Sequence, residues 1–294
     1  MMASMSSPPP ALPDTAVPQG DLVRLDPDHL DQAHALSGAL AWPYRREDWA
    51  FALALGRGFG VEIDGRLVGT ALWWPYGDDY AAIGMIIVAP DAQRRGIGAR
   101  LMDALMADAA GRTMILNSTL EGEPLYTRLG FVPYGEVRQH QAVLPHAPWI
   151  DASVPIRSFA PGDLAALHAL DRAAAGMERT ALLDALGAVS DTLVIVRDGA
   201  ITGYAGARVW GRGIVIGPVI AASIAEAQAL IATLAARHVG AFVRIDVTHA
   251  SGLGAWLARL GLAEVGQVRA MALGPPPASA PTATLFALSN QSLG

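Results

Sequence analysis

Residues 84–98 read GMIIVAPDAQRRGIG, and the fold follows from how that stretch is parsed. Ala81 to Val88 is a mostly apolar run of the length and character of a buried strand. Gln93-Arg94-Arg95-Gly96-Ile97-Gly98 fits Q-x-x-G-x-G and leads into a helical pattern with Ile97, Leu101 and Leu105 at i, i+4 and i+8. Such a turn lets the backbone approach an anion closely, and the helix start offers unpaired N–H groups and the positive end of the dipole. Arg94, Arg95 and Arg100 add charge, so a pyrophosphate is the natural guest. Twenty-eight residues past Gly98 stands Tyr126, in LYTRLGF, on a short helix after a second buried strand over Met114 to Thr119. Alone, the first half reads as a capped turn with solvated arginines and the second as a tyrosine packed beside Phe131. Together, in this order, they outline a site for a phosphate-bearing carrier with a hydroxyl at its reactive end.

The chain also repeats itself. Pro27, Leu30, His34, Ala35 and Leu36 recur as Pro161, Leu164, His168, Ala169 and Leu170, and DGRLVGTA from Asp64 recurs as DGAITGYA from Asp198. Gly84 maps to Gly217, Leu101 and Leu105 to Leu230 and Leu234, and RLGF from Arg128 to RLGL from Arg259. Two copies of one α/β (α+β) domain follow, over 20–145 and 152–294, the second with a C-terminal tail, joined by a Pro-containing linker. Residues 1–19 are rich in Pro and Ser and read as a disordered lead-in. In each copy a helix opens after an N-cap and proline, as at Asp26-Pro27, and two strands flank a hairpin turn, as at Asp64-Gly65. His34 and His168, on apolar helix faces, are expected to be packed.

The second copy loses four residues between Gly217 and Leu230, where the anion turn would be. Its helix starts instead with Ser223-Ile-Ala-Glu226, a capping box that satisfies the N–H groups and repels an anion. Tyr126 maps to Leu257 and Asn117 to Asp246. The second copy is therefore expected to keep the fold without the anion site.

Composition narrows the function. The chain has 294 residues, a net charge of −6 and a pI of about 5.6, so bulk charge gives no reason to expect nucleic acid or an anionic membrane as partner. It contains no lysine, which excludes Schiff-base chemistry, and no cysteine, which excludes thiolate nucleophiles, disulfides and Cys-ligated metals. The N-terminus lacks a cationic start followed by an apolar run, and the charge-free stretch Gly213 to Ala225 is too short to span a bilayer. A cytoplasmic protein is expected.

QRRGIGARLM and LYTRLGF resemble the GCN5-related N-acetyltransferases (GNAT), which have a mixed, mostly antiparallel central sheet flanked by helices and bind acetyl-CoA. AWPYRREDW, GTALWWPYGDD, VRQHQ, DRAAAGMERTALL, GPVIA, RIDVT and FALSNQSLG look like the tandem acetyltransferases of the YitH/HolE type, so the resemblance covers nearly the whole chain past residue 20. It implies that Ile86, Ile87 and Val88 pair with the pantetheine arm of acetyl-CoA. By the same resemblance the turn of Gln93, Arg94, Arg95, Gly96, Ile97, Gly98, Ala99 and Arg100 holds the pyrophosphate, Asn117 lies near the thioester, and Tyr126 protonates the departing thiolate. The substrate pocket is placed near Trp42, Tyr44, Arg45, Trp73 and Trp74.

The strand YAAIGMIIV holds no acid where many members of that family carry a glutamate, leaving Glu62, Asp78, Asp79 and His140 as candidate bases. Asp171, Arg172, Glu178, Arg179, Arg208 and Asp246 stand in alanine-rich surroundings, and some are expected to face a cleft between the copies; His140, Arg179 and Asp246 are candidate substrate contacts. The expected function is direct transfer of acetyl from acetyl-CoA, without a metal, to a primary amine of a small molecule, by a monomer or homodimer. Two alternatives are a non-catalytic acyl-CoA sensor, suggested by the missing strand acid, and a protein N-acetyltransferase.

Overall fold

Asp64 and Gly65 both take positive φ, 52° and 73°, and close the first hairpin of a computed structural model that describes residues 20–294. The expectation for residues 1–19 lies outside the described residues. The first copy runs β1 (Asp21–Arg24), α1 (Leu30–Ala39), α2 (Arg46–Leu55), β2 (Arg57–Ile63), β3 (Arg66–Tyr76), β4 (Tyr80–Val88), α3 (Ile97–Asp108), β5 (Thr113–Ser118), α4 (Glu123–Arg128) and β6 (Val132–Val143). The second repeats it element for element. It runs β7 (Ile156–Ser158), α5 (Leu164–Ala175), α6 (Thr180–Val189), β8 (Asp191–Arg197), β9 (Ala200–Trp210), β10 (Gly213–Ala221), α7 (Ile224–Ala236), β11 (Phe242–Thr248), α8 (Gly254–Arg259) and β12 (Ala263–Leu273). A final strand, β13 (Thr284–Ala287), has no counterpart in the first copy.

The thirteen strands of the described residues form one sheet in the order β1-β2-β3-β4-β5-β12-β6-β11-β13-β10-β9-β8-β7. Among the described residues its only parallel pairs are β4 with β5 and β10 with β11, one in each copy. The two copies exchange their last strands. β12 of the second pairs with β5 of the first over Leu273↔Met114 to Arg269↔Ser118, while β6 pairs with β11 over Val143↔Phe242 to Val137↔Thr248. β6 and β12 then pair with each other at the centre of the sheet.

Helices cover both faces. Alternation along β3 sends Trp73 to α3, where its indole N–H donates to Asp108 at 3.0 Å, and Trp74 to α2, where it donates to the Ala52 carbonyl at 2.8 Å. Leu101, Met102 and Leu105 of α3 are fully buried, and each stabilises the fold by roughly 1.5–3 kcal/mol. A side chain at Gly69 would strike Ile97 and Leu101 at 2.9 and 3.0 Å, so the close seating of α3 on β3 requires glycine there. His34 is exposed rather than packed: α1 buries Leu30, Ala33, Leu36 and Ser37, and alanine pattern alone does not mark a helix face. His168 likewise lies at the surface, 2.9 Å from Asp184. Among the described residues no helix is long and apolar enough to cross a membrane.

Candidate functional site

In the first copy the parallel pairing of β4 with β5 runs from Tyr80↔Thr113 only as far as Ile83↔Leu116. Beyond it the strands part. Opposite, β4 pairs with β3 at Leu72↔Gly84 and Thr70↔Ile87, so Met85 and Ile86 face Ala71 alone. This two-against-one bulge puts Met85 at φ 51°, and Thr70 Oγ1 fixes it by donating to the Met85 carbonyl at 2.9 Å. From Gly84 to Val88 the far edge of β4 has no strand partner among the described residues.

Pro90 ends the strand, and Gln93 Nε2 ties the following turn back to the Val88 carbonyl at 3.1 Å. Arg94 and Gly96 both take positive φ, 60° and 79°, which turns the chain abruptly into α3. Gly96 occupies the N-cap of α3 with no side chain to satisfy the helix start. The first backbone amide to close a helical bond is that of Arg100, which reaches the Gly96 carbonyl at 3.0 Å. The amides from Arg94 through Ala99 take no partner among the described residues. Arg94 and Arg95 are exposed and form no ion pair among the described residues, while Arg100 gives Nη1 to the Gly20 carbonyl at 2.7 Å. A nest of free amides beside two uncommitted guanidinium groups suits a diphosphate, and the unpaired β4 edge suits an amide-bearing arm.

A cleft of about 430 Å³ opens where β4 and β5 part. It is lined on the α3 side by Tyr126 and Gly122, and on the α2 side by Trp42 and Tyr44, so it passes through the sheet. Tyr126 is 8 % exposed, its ring edge-on to Phe131 with centroids 6.0 Å apart. Its hydroxyl makes no hydrogen bond among the described residues, and burial pushes its pKa up to about 12. A side chain at Gly122 would meet the Tyr126 ring at 3.0 Å, so glycine there leaves the ring its place. Asn117 lines the cleft on β5, but its amide donates to the Gln291 carbonyl at 3.0 Å.

The other predicted residues divide. Trp42 and Tyr44 line the cleft; Tyr44 meets Trp42, Trp49 and Trp210 edge-on and shares a 2.6 Å hydrogen bond with Ser292. Trp73 and Trp74 are buried in the core and do not line it. Arg45 is spent on Asp48 at 2.5 Å and on the Val209 carbonyl at 3.1 Å. His140 is buried with Nδ1 3.0 Å from the Leu262 carbonyl, beside a separate surface hollow that contains Glu264. Arg179 is wholly buried, its guanidinium on Asp171 at 2.6 and 3.0 Å, with Tyr204 donating to the same carboxylate. Asp246 is buried and held by Arg244 at 2.9 Å and by Gln291. Of the candidate bases, none lines the cleft.

Sequence reasoning missed much of the wall. Gln139 and Gln141 on β6, and Arg212 and Arg244 in the second copy, line the cleft, as do Gln291 and Ser292 of the tail. The tail closes on itself around Asn290, whose Oδ1 accepts from the amides of Ser292 and Leu293 at 2.8 and 2.9 Å. Arg208, which burial lowers to about 10, holds the Ser289 carbonyl at 3.1 Å. Leu293 is fully buried in the core of the first copy.

The equivalent place in the second copy is filled. β10 and β11 pair in parallel from Ile214↔Val243 to Ile216↔Ile245 and then part, as β4 and β5 do. There β13 inserts between them, pairing with β10 at Val219↔Ala287 to Ala221↔Thr284 and with β11 at Val247↔Ala287. The start of α7 is closed too: Ser223 Oγ accepts from the Glu226 amide at 3.3 Å, and Glu226 accepts from the Ala222 amide at 3.2 Å. Leu257 stands at the position matching Tyr126 and is fully buried.

Residues 27–131 match the family model described as Acetyltransferase (GNAT) family, and residues 167–287 match the one described as Acetyltransferase (GNAT) domain. The Bacillus subtilis (strain 168) protein named "Uncharacterized N-acetyltransferase YitH" is 32% identical over 234 residues, covering 77% of this chain and 82% of its own. A solved structure from Pyrococcus horikoshii is similar with a TM-score of 0.79 at 19% identity, over 97% of this chain and 99% of that one. The GCN5-related N-acetyltransferase from Sphaerobacter thermophilus gives 0.62 at 17% identity, over 92% and 100%. A tandem GNAT protein from the clavulanic acid biosynthesis pathway gives 0.63 at 16% identity, over 87% and 99%.

Proposed function

The chain belongs to the GNAT acetyltransferases, and we propose that it transfers acetyl directly from acetyl-CoA to a primary amine of a small molecule, at one working site in the first copy. The observations that carry this reading are the cleft where β4 and β5 part, with the unpartnered Tyr126 hydroxyl in its lining, and the free amides in the turn that follows β4. In this reading the turn from Arg94 to Ala99 holds the diphosphate and the open edge of β4 takes the arm, which brings the thioester past Asn117 to Tyr126. With its amide on Gln291, Asn117 acts by fixing the tail that walls the cleft.

The amine attacks the thioester carbonyl, a C–N bond forms, and the C–S bond breaks as the thiolate leaves. A CoA thiol has a pKa of about 8.5, so the thiolate is a fair leaving group that a hydrogen-bond donor improves. Tyr126 remains protonated at neutral pH because burial raises it, and in this reading its hydroxyl donates to the departing sulfur. Complete transfer from a phenol near 12 to that thiolate is uphill by about 5 kcal/mol. The proton lost by nitrogen therefore replaces the one Tyr126 gives, and the products are the amide and the free thiol. The filled cleft and closed α7 terminus support a second copy that binds no acetyl-CoA and instead walls the first copy's cleft.

Incubation with acetyl-CoA and a panel of primary amines, followed by mass spectrometry, tests the reading. Acetylated small-molecule amine with matching release of thiol is the expected result. Tight binding of acetyl-CoA with no turnover on any amine would instead make the chain a sensor. Acetylation confined to protein N-termini or side chains would also refute the small-molecule assignment.

A further inference from the structure

Where the second copy faces the cleft, the charged side chains of the wall are hydrogen-bond donors, set beside Trp210, Phe242 and Val268. The charged residues that line the cleft are Arg212 and Arg244, and no aspartate or glutamate lines it. Arg244 spends Nε and Nη2 on Asp246 at 2.9–3.1 Å, leaving Nη1 without a partner among the described residues. Arg212 forms no ion pair there, and its guanidinium lies 4.4 Å over the ring of Phe242. The turn that carries Arg212 is held in place, because the Gly211 amide donates to the buried Asp48 carboxylate at 2.8 Å. Gln141 accepts from Gln139 at 2.8 Å, so its own amide nitrogen is free to donate.

A simple monoamine, arriving as its ammonium ion, would meet the Arg212 guanidinium with no carboxylate in the lining to offset it, the charge of Arg244 being already met by Asp246. An amine with an oxyanion elsewhere in the molecule brings its own counter-charge, and a planar guanidinium pairs with an oxyanion through two parallel N–H donors. Building on the acetyl-transfer reading, we infer that the acceptor is an amine that also carries a carboxylate or phosphate group, held by Arg212 and Arg244 from the second copy. The duplicate thereby supplies the specificity of a site whose donor end belongs to the first copy.

The test uses the whole chain and one amine scaffold in three forms: carboxylate, phosphate and neutral carboxamide. Charge-assisted pairing predicts a kcat/KM higher for the better anionic form than for the carboxamide by about ten- to hundred-fold, and the faster of the two anions identifies the group. Arg212→Gln is expected to reduce that ratio to near one, and Arg212→Lys to restore part of it. Arg212 is exposed, so the melting temperature of the unliganded variant should match the parent. A carboxamide used as well as both anions, or a preference that survives Arg212→Gln, would overturn the inference. Absence of thiol release with every amine would instead sink the acetyl-transfer reading. The anion site is then read by the rise in melting temperature that the anionic compounds give, which Arg212→Gln must abolish.

Discussion

Replacing Tyr126 by Phe removes one oxygen and little else. The ring is buried edge-on to Phe131 and its hydroxyl has no partner among the described residues, so the change orphans no group and should alter stability by less than about 0.5 kcal/mol. What is lost is a donor to a departing thiolate. A hydrogen bond to a charged group contributes about 1.5–3 kcal/mol, which corresponds to roughly a ten- to hundred-fold fall in kcat. Thiol release at saturating acetyl-CoA measures it. The pH profile adds a sign. A phenol raised to about 12 stays protonated below about pH 11, so kcat should rise with pH as the amine loses its proton, with no descending limb from Tyr126 up to pH 10. A kcat within twofold of the parent would refute the role, while a descending limb near pH 10 that vanishes in the Phe variant would keep the role and refute the raised pKa.

Three other outcomes follow from the packing. Asp171→Ala leaves the Arg179 guanidinium buried with its carboxylate gone, and chemical denaturation should show a loss of about 3–5 kcal/mol. Leu293→Ala removes a fully buried side chain that anchors the tail, costing about 2–5 kcal/mol, and should raise the acceptor KM because Gln291 and Ser292 wall the cleft. The Arg157 guanidinium and the Ala160 amide hold Asp163 down to about 2, against about 3.9 unfolded. That contribution is present above pH 4 and disappears as pH falls toward 2, so the melting temperature of Asp163→Asn should approach that of the parent across this window.

The duplication and the order of elements were legible because period and turn chemistry are local. Asp64-Gly65, the apolar run of β4 and the glycine turn each act within a few residues, and each appears where its pattern places it. The strand exchange was not legible. β6 and β12 occupy equivalent repeat positions, so either satisfies β5 or β11 and nothing in the pattern says which one does. β13 was hidden for a related reason, since an apolar tail announces burial without naming the gap it fills. Trp73 and Trp74 read as a pocket pair but alternate to opposite faces of β3, where each indole N–H is already spent. Arg212 and Arg244 gave no signal because a wall shared by two copies is assembled by tertiary contact alone.

The central claim is that one copy anchors acetyl-CoA while the other is closed by its own chain. Calorimetric titration of the whole chain with acetyl-CoA tests it most directly. One site per chain is predicted, and Gly96→Val should abolish it. No protein atom lies near a side chain at that position, so the substitution strains a positive φ by about 1–2 kcal/mol and fills the space an anion would enter. Two sites per chain, or a single site that survives Gly96→Val in a folded protein, would contradict the account.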